Sequence, residues 1–372
     1  MPNPFIYGRP LTPDALIDRE TELALLVDLA DGGHPVRLSA PRRYGKTSLL
    51  GALAQEWDRA FGPAIRVSFF GLLSAEDVAA RLERAYRQLR GPLRAWLVGA
   101  LEALRPTVKV PGTGVELVPQ PIASADVTTR LVALLELPAR LAARSEQRPL
   151  VIFDEFQEVL AAPTALDGLI RSVIEHHAGT VSYVFAGSHP GMMRALFADR
   201  ERPFYGQARA VPLPPLPLPE LGDAIQSLML ADRRDAGDAL GPLLRVTRGH
   251  PQRAMQLAHH LYDRLTPGTT GSELELAAAL TAVEEEARDA LDALWRGLDD
   301  AERRALAAML EDPRHTLRAE ALARFGVARS TARDALERLR QAGHLELDVE
   351  RRAFVVDPLL ERWIQAGREE LR

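Results

Sequence analysis

The feature that most constrains the fold of this chain is an apolar run, a turn and a helix start in "VRLSAPRRYGKTSLLGALA", residues 36–54. The helix opens with Gly-Lys-Thr, and its lysine is one of only two in the chain, Lys46 and Lys109; the other 44 of the 46 basic residues are arginine. An ammonium is a compact point charge on a flexible stem, whereas a guanidinium is a wide, planar fork. The lysine at this position therefore indicates a narrow anion-binding site at the helix start.

This segment is close to the phosphate-loop pattern G-x-x-x-x-G-K-[ST], which lies between a strand and a helix. Successive backbone N–H groups and the helix N-terminus form a cradle for phosphates. Lys46 is expected to reach the β- and γ-phosphates, Thr47 to offer its hydroxyl to Mg²⁺, and Gly45 to let the backbone approach. Ala40 departs from the pattern; at a positive φ, alanine would cost about 1 kcal/mol relative to glycine. The predicted nucleotide contacts are Pro41, Arg42, Arg43, Tyr44, Gly45, Lys46, Thr47 and Ser48.

A second motif, "PLVIFDEFQEV" at 149–159, is an apolar strand that runs into two carboxylates. We expect Asp154 to hold Mg²⁺ through water and Glu155 to orient and deprotonate the attacking water, since phosphoryl transfer depends on positioning and charge stabilisation. Alone, either motif has an ordinary alternative, a chance Gly-Lys-Thr or an acidic pair at a strand end. Together they predict binding of ATP or GTP with Mg²⁺. There is no G-specific N-K-x-D segment, which favours ATP.

Strand-like and helical segments alternate over the first 217 residues, which predicts a parallel sheet covered by helices on both faces. Asp18 is the expected N-cap of the first long helix, and residues 105–124 are expected to form an inserted hairpin. The predicted strands are 36–39, 64–70, 149–156, 181–188 and, more weakly, 209–216; the predicted helices between them are 46–59, 74–90, 126–145 and 164–178.

After residue 217 the pattern becomes helical, and the last part reads helix, helix, helix, hairpin, as in a winged helix-turn-helix. The expected fold class is α/β: a P-loop NTPase parallel sheet with a helical lid and a C-terminal winged helix-turn-helix. The predicted divisions are a core at 1–217, a lid with a connecting helix at 218–296, and a winged-helix domain at 297–372.

Several segments resemble the archaeal-ATPase-like branch of the AAA+/STAND P-loop ATPases. They are "LIDRETEL", "SAPRRYGKTSLL", "VIFDEFQEV", "FAGSHPGMMRALF" and "TRGHPQRAMQLAHHL". The resemblance implies that Arg19 and Glu20 lie near the adenine, although Asp18 stands where family members often have glycine. It also implies that Ser188 senses the γ-phosphate and that His250 and Pro251 face the nucleotide.

Each of these residues also has a structural alternative. Ser188 can simply cap a turn, and His250 with Pro251 can simply start a helix. Arg202, Arg209 and Arg253 are weak candidates for a charge-sensing arginine in a chain so rich in arginine. The pairs His176-His177 and His259-His260 lack the partners of a metal site and are expected on helix surfaces.

The C-terminal unit leaves two alternatives open, contact with DNA or a protein or intramolecular regulatory contact. A helix at 331–342, with Ser330 as N-cap and Gly343 at its end, carries arginines on its outer face, and Arg351 and Arg352 lie in the wing turn. Residues 300–372 nevertheless contain 14 Arg and 14 Asp plus Glu, a net charge of zero. DNA affinity needs several uncompensated cationic contacts.

The composition argues against a disulfide-bonded protein, a cysteine metal site and a membrane-spanning protein. The net charge is −5, the chain has no cysteine, and no apolar run approaches the ~18 residues of a membrane span. These features fit a cytoplasmic protein. The two motifs and the resemblance together imply a slowly hydrolysing ATP switch of the AAA+/STAND type that cycles between ATP and ADP and associates with a protein partner or itself. The alternatives are a DNA-binding ATPase of replication-initiator or transposition-helper type and a nucleotide-binding scaffold with little turnover.

Overall fold

The centre of the molecule is a five-stranded parallel sheet of order β2-β3-β4-β1-β5. The computed structural model describes residues 2–89, 93–103, 124–162, 165–311, 317–348, 350 and 352–367. The strands of the sheet are β1 (Val36–Ser39), β2 (Ala64–Ser68), β3 (Leu150–Asp154), β4 (Ser182–Gly187) and β5 (Arg209–Pro212); a C-terminal antiparallel pair is formed by β6 (Leu345–Leu347) and β7 (Ala353–Val355).

Helices cover both faces of this sheet and then continue beyond it, as the alternating pattern predicted. The predicted α/β class, a parallel sheet covered by helices on both faces, is therefore confirmed. The helices are α1 (Glu20–Asp31), α2 (Lys46–Ala60), α3 (Ala75–Gln88), α4 (Leu93–Ala103), α5 (Ser124–Ser145), α6 (Leu166–Ile174), α7 (Pro190–Ala198), α8 (Leu218–Leu230), α9 (Leu240–Thr247), α10 (Pro251–Arg264), α11 (Glu273–Gly297), α12 (Asp300–Glu311), α13 (Ala319–Arg324), α14 (Arg329–Gln341) and α15 (Pro358–Gly367).

The two faces of the sheet bury different side chains. On one face, α1 and α2 pack aliphatic residues such as Leu26 and Leu53 onto β1 and β4. On the other, α3, α5, α6 and α7 enclose a cluster that includes Phe153, Phe156 and Phe185. All residues of β3 and β4 are buried, as expected for strands covered on both sides. This packing fixes the carboxyl ends of β1, β3 and β4 beside one another.

Two expected helix starts are wrong. Asp18 has a φ of 45° and lies outside α1, whose N-cap is Arg19; an N-cap normally has an extended backbone. Ser330 lies inside α14, which begins after Ala328. The preceding turn at Gly326, with a φ of 61°, brings the chain into the helix earlier than the apolar pattern indicated.

The helices after β5 share a single apolar core with the C-terminal unit. Leu257 and Leu261 of α10, Val283 of α11, Leu306 of α12 and Leu339 of α14 belong to one buried cluster. Helix α15, which the sequence did not predict, adds further residues to this cluster. The division of this region at 296/297 stays a prediction, and the predicted hairpin at 105–124 lies outside the described residues. The described hairpin β6–β7 follows α12, α13 and α14 in the order predicted for a winged helix.

An N-terminal strap, residues 3–11, joins the α10 region to α2. Phe5 is 1% exposed and packs edge-on against Tyr262. Asn3 donates to the backbone oxygen of His259, at 3.0 Å, and the backbone nitrogen of Leu11 donates to Ser48 Oγ on α2, at 2.9 Å. The strap therefore crosses from the helical region to the start of α2.

Among the described helices, none combines the length and the apolar character needed to span a bilayer.

Candidate functional site

The loop between β1 and α2 has the backbone geometry of an anion cradle. Gly45 precedes α2 with a φ of 84°, and Arg43 has a φ of 71°. Ala40 has no such left-handed backbone, and its N–H donates to the Gly187 oxygen at 3.3 Å. The positive φ angles thus lie at residues 43 and 45, so alanine at position 40 causes no backbone strain.

Lys46 is the first residue of α2, and its ammonium lies between two carboxylates. Its Nζ is 3.0 Å from Asp154 Oδ1 and 2.8 Å from Glu155 Oε1, and the residue is only 6% exposed. These carboxylates lie at and just after the end of β3, which is separated from β1 by β4. The two sequence motifs therefore meet at the carboxyl edge of one sheet.

Glu155 is held by hydrogen bonds at both carboxylate oxygens. Besides Lys46, the Ser188 backbone N–H and hydroxyl donate to Oε2 at 3.1 and 2.6 Å, and Gln157 Nε2 donates to Oε2 at 2.6 Å. Burial opposes ionisation of this carboxyl, but the charge of Lys46 and these hydrogen bonds outweigh burial and lower its pKa to about 2. Glu155 is thus a stabilised anion in this arrangement and a weak base.

A cavity of about 510 Å³ opens above Lys46, between the loop, the strap and the start of α10. A volume of this size lies within the range of small-ligand sites. The side of the cavity formed by the loop, which we call its floor, is polar and cationic. The side formed by the strap and α10 is largely apolar. The lining residues are Ile6, Tyr7, Gly8, Arg9, Pro10, Leu11, Pro41, Arg42, Arg43, Gly45, Lys46, Thr47, Ser48, Phe70, Glu155, Ser188, Pro251, Gln252 and Met255.

Most of the loop residues singled out by the sequence therefore face this cavity, together with Glu155, Ser188 and Pro251. Thr47 is exposed to it, whereas Ser48 is buried and accepts the Leu11 N–H. Asp154 does not line the cavity, but its carboxylate contacts Lys46, which does. The roles assigned to these side chains stay predictions.

Arg19 and Glu20 are not brought to the cavity. The Arg19 side chain is buried, with Nη1 2.8 Å from Glu22 Oε1 and Nη2 donating to the Pro214 oxygen at 2.8 Å. Glu20 lines a separate depression between α1 and α2, beside Leu23. In this arrangement Arg19 ties α1 to the segment after β5, and the adenine contact implied by the resemblance stays untested.

Tyr44 and His250 form an aromatic contact beneath the cavity. The two rings meet edge-on with centroids 5.0 Å apart, and each residue is less than 5% exposed. His250 is the N-cap of α10, and its Nδ1 accepts the Arg253 N–H. Burial lowers the pKa of His250 to about 4 and raises the pKa of Tyr44 to about 12. His250 therefore joins α10 to the loop as a neutral ring, and only its neighbour Pro251 lines the cavity.

None of the three weak arginine candidates lines the cavity. Arg202 is 3.4 Å from an Asp167 oxygen, Arg209 is exposed on the edge strand β5, and Arg253 is bound to Asp357. The arginines that do line it are Arg9, Arg42 and Arg43.

Thr47 and Asp154 could hold Mg²⁺ at the cavity floor. The described residues contain no cluster of three or more His, Cys, Asp or Glu suited to a metal. Mg²⁺ typically keeps several waters and binds one or two carboxylates together with substrate phosphates. One hydroxyl and one carboxylate beside a phosphate cradle therefore fit this ion.

The histidine pairs differ from the expected surface positions. His177 is 4% exposed, and its Nδ1 lies 2.7 Å from the Tyr183 hydroxyl, so the surface prediction is wrong for this residue. His259 and His260 are half-buried against Tyr7 of the strap. Only His176 is well exposed.

The strap is the part of the site that sequence reasoning missed. Residues 6–11, Phe70, Gln252 and Met255 line the cavity, and Gln252 Nε2 donates to the Tyr7 oxygen at 3.3 Å. None of the predicted site residues lies in the Pro-rich start of the chain. Its regularly placed Phe5 and Tyr7 were the available indication that it is buried against another element.

The C-terminal unit packs directly on the segment that carries Ser188. A Cβ at Gly191 would lie 2.4 Å from Gln341 Cα at the end of α14, and a Cβ at Gly343 would lie 3.6 Å from the Ser188 oxygen. We call this contact, between residues 188–191 and 341–343, the α7–α14 seam. It leaves no space for a side chain at Gly191.

On the outer face of α14, part of the positive charge is already paired. Arg338 contacts Asp299 and Glu302 at 2.7 and 3.0 Å, and Arg340 contacts Glu337 at 2.7 Å. These pairs reduce the charge available to a nucleic acid.

The sheet order, the loop after β1 and the acidic end of β3 define a P-loop NTPase fold. Solved structures share it. The Walker-type ATPase of Pyrococcus abyssi aligns over 97% of this chain and 99% of its own, with 17% identity and a TM-score of 0.69. The ORC2 protein of Aeropyrum pernix, solved as ADPNP-ADP complexes, aligns over 99% and 98%, with 14% identity and a TM-score of 0.56. The ORC1 protein of the same organism, solved with DNA, aligns over 99% and 97%, with 16% identity and a TM-score of 0.51.

These identities are low, so the likeness concerns the fold. No family model matches the sequence, and no curated protein matches it. At the level of the fold, the resemblance to archaeal-ATPase-like P-loop ATPases is confirmed.

Proposed function

We propose that this protein is an ATP-binding, slowly hydrolysing switch that couples its nucleotide state to the C-terminal helices and hairpin. The observation that carries the proposal is the position of Lys46. Its ammonium lies on the floor of the cavity beside Asp154 and Glu155, where the charges of a triphosphate and its Mg²⁺ would replace the present ion pairs.

Several features support a triphosphate as the ligand. The loop N–H groups and the N-terminus of α2 favour an anion, and the exposed Arg42 and Arg43 add positive charge. The strap and α10 provide an apolar wall, including Ile6 and Met255, of the kind that suits a base. ADPNP and ADP bound in the structurally similar ORC2 protein favour an adenine nucleotide. When bound, Mg²⁺ neutralises charge on the phosphates.

Hydrolysis is assigned to Glu155, which would orient a water towards the γ-phosphorus. The water oxygen forms the new P–O bond while the bond to the β-phosphate oxygen breaks. The water proton passes to the carboxylate and then to solvent, and ADP and phosphate are the products. Ser188, whose hydroxyl donates to Glu155 at 2.6 Å, would respond to the γ-phosphate.

Coupling to the C-terminal unit is supported by three contacts. The α7–α14 seam joins it to Ser188, Arg253 of α10 binds Asp357, and Arg248 after α9 lies 2.8 Å from Glu361 of α15. A ligand that moves Ser188 or α10 in one nucleotide state only would therefore bias this unit. We infer that the output is association with a protein partner or with a second copy.

The DNA-binding alternative has less support. The ORC1 relative was solved with DNA, but here Arg338 and Arg340 are paired and the end of α14 packs on α7. Retention of duplex DNA by the full chain at low salt, lost on raising the salt, would favour this alternative.

Phosphate release from the wild type and from Glu155→Gln tests the proposal. We expect the wild type to release phosphate slowly and the variant to bind ATP·Mg²⁺ while releasing at least about 100-fold less. Light scattering with ATP and with ADP then tests whether the state of association changes. If neither protein releases phosphate, the proposed hydrolysis is contradicted and the alternative of a nucleotide-binding scaffold with little turnover is favoured.

A further inference from the structure

Gln157 is a fully buried polar residue beside the carboxylate assigned to hydrolysis. It lies in a short 3-10 helix, Phe156–Leu160, directly after Glu155, and none of its surface is exposed. Its Nε2 donates to Glu155 Oε2 at 2.6 Å. His189 Nδ1 lies 3.3 Å from this nitrogen and 3.3 Å from Ser188 Oγ, with roles that depend on the imidazole tautomer.

The fold makes a specific space for this side chain. A Cβ at Gly187 would lie 2.4 Å from Gln157 Oε1 and 2.5 Å from the Met193 side chain. Gly187 has no left-handed backbone, so its conformation does not require glycine. Glycine is therefore needed at position 187, at the end of β4, because Gln157 and Met193 occupy the space that a larger side chain would fill.

Packing alone does not explain an amide at this position. Gln157 Oε1 is buried without a hydrogen-bond partner, and an unpaired buried acceptor costs free energy. A methionine or leucine would fill the same volume without that cost. What the amide adds is the hydrogen bond that its Nε2 donates to Glu155 Oε2.

Of the other three donors to Glu155, the Ser188 backbone N–H is fixed by the chain, and the two side-chain donors are ones that a nucleotide would attract. Lys46 and the Ser188 hydroxyl account for two of the hydrogen bonds, and both face the cavity. Gln157 does not line the cavity, so its hydrogen bond is retained when the other two change.

We propose that Gln157 is the positioning residue for Glu155: it holds Oε2 throughout the cycle and so leaves Oε1 directed at the attacking water once Lys46 turns to the phosphates. This rests on the proposed function of Glu155. The role is exerted through the carboxylate, since Gln157 touches neither the cavity nor the reacting atoms.

Gln157→Met tests this, because methionine has a similar length and no donor. We expect the ATP·Mg²⁺-induced rise in melting temperature to be kept, kcat to fall about 10- to 100-fold, and the acid limb of the pH–rate profile to move to higher pH. Gln226→Met removes a half-buried, hydrogen-bonded glutamine of α8 and is expected to leave kcat and the pH profile unchanged. If Gln157→Met does not fold, Gln157→Asn replaces it, because asparagine keeps the amide but is too short to reach Glu155.

A second readout does not depend on turnover. The carboxyl ¹³C shift of Glu155, assigned by its loss in Glu155→Gln, is expected to stay flat between pH 4 and 6 in the nucleotide-free wild type and to begin titrating at the acid end in Gln157→Met. If the wild type releases no phosphate, the proposed function fails while this titration still decides the role of Gln157. An unshifted Glu155 titration, or a kcat and pH profile equal to those of the wild type, overturns the proposal.

Discussion

The guanidinium of Arg253 on α10 binds the carboxylate of Asp357, the residue before α15, through Nε–Oδ1 and Nη2–Oδ2 hydrogen bonds of 3.0 and 2.6 Å. Arg253 is 5% exposed. Burial opposes the ionisation of Asp357, but Arg253 outweighs it and the pKa of Asp357 is lowered. This pair joins the helix beside the cavity to the end of the C-terminal hairpin.

Asp357→Asn is expected to lower the free energy of unfolding by about 1–3 kcal/mol, because it leaves a buried guanidinium facing a neutral amide. Urea denaturation measures this loss. Asp300→Asn is the matched control, since Asp300 pairs with Arg304 on the surface of α12 with a 68% exposed side chain and such pairs contribute little. Equal losses in both variants would contradict a special role for the Arg253–Asp357 pair.

Gly191→Ala is expected to open the α7–α14 seam, because its Cβ would collide with the Gln341 backbone at 2.4 Å. Limited proteolysis should then cleave the C-terminal unit at lower protease concentration than in the wild type. Gly168→Ala on α6 places its Cβ 3.8 Å from Pro203, an ordinary contact, and alanine favours a helix. This control should resist proteolysis to the same extent as the wild type. If Gly191→Ala is also as resistant as the wild type, the α7–α14 seam is not tightly packed.

The pH dependence of stability should report His250. Its pKa is about 4 in the folded protein against about 6.5 when unfolded, so between these values the unfolded chain binds the extra proton. The free energy of unfolding should therefore fall as the pH is lowered from 6.5 to 4, by roughly 3 kcal/mol at most from this residue.

His250→Asn retains an N-cap acceptor for α10 and removes the titrating ring. Urea denaturation at several pH values should show a flatter profile for the variant than for the wild type over this range. Parallel profiles would mean that His250 is accessible to protons in the folded state.

The sequence indicated those parts of the site that lie within short, regular segments. The loop from Ala40 to Thr47 and the strand ending at Asp154 each combine a local pattern with a motif, and the parallel sheet brings them together by geometry. The predicted N-caps Asp18 and Ser330 are wrong because left-handed residues, Asp18 and Gly326, precede the two helices, and a pattern of apolar residues does not reveal such turns.

The remaining contacts depend on residues far apart in the chain. Arg253 and Asp357 are one pair among many possible pairs in a chain with 44 arginines, and composition gives no reason to select them. The strap likewise becomes part of the cavity only through Phe5 and Tyr7, whose partners lie on α10 and α11. Such long-range pairs follow from the tertiary fold.

The most direct test of the account is the binding of ATP·Mg²⁺ to the wild type and to Lys46→Ala, measured by titration calorimetry and by the ligand-induced rise in melting temperature. Each protein is compared with its own nucleotide-free form, because Lys46→Ala also leaves Asp154 and Glu155 without their cation. We expect the wild type to bind and to gain about 2.7 kcal/mol at a ligand concentration 100 times its Kd, and the variant to lose both signals. Equal binding heats and equal melting shifts in the two proteins would contradict a triphosphate site at Lys46.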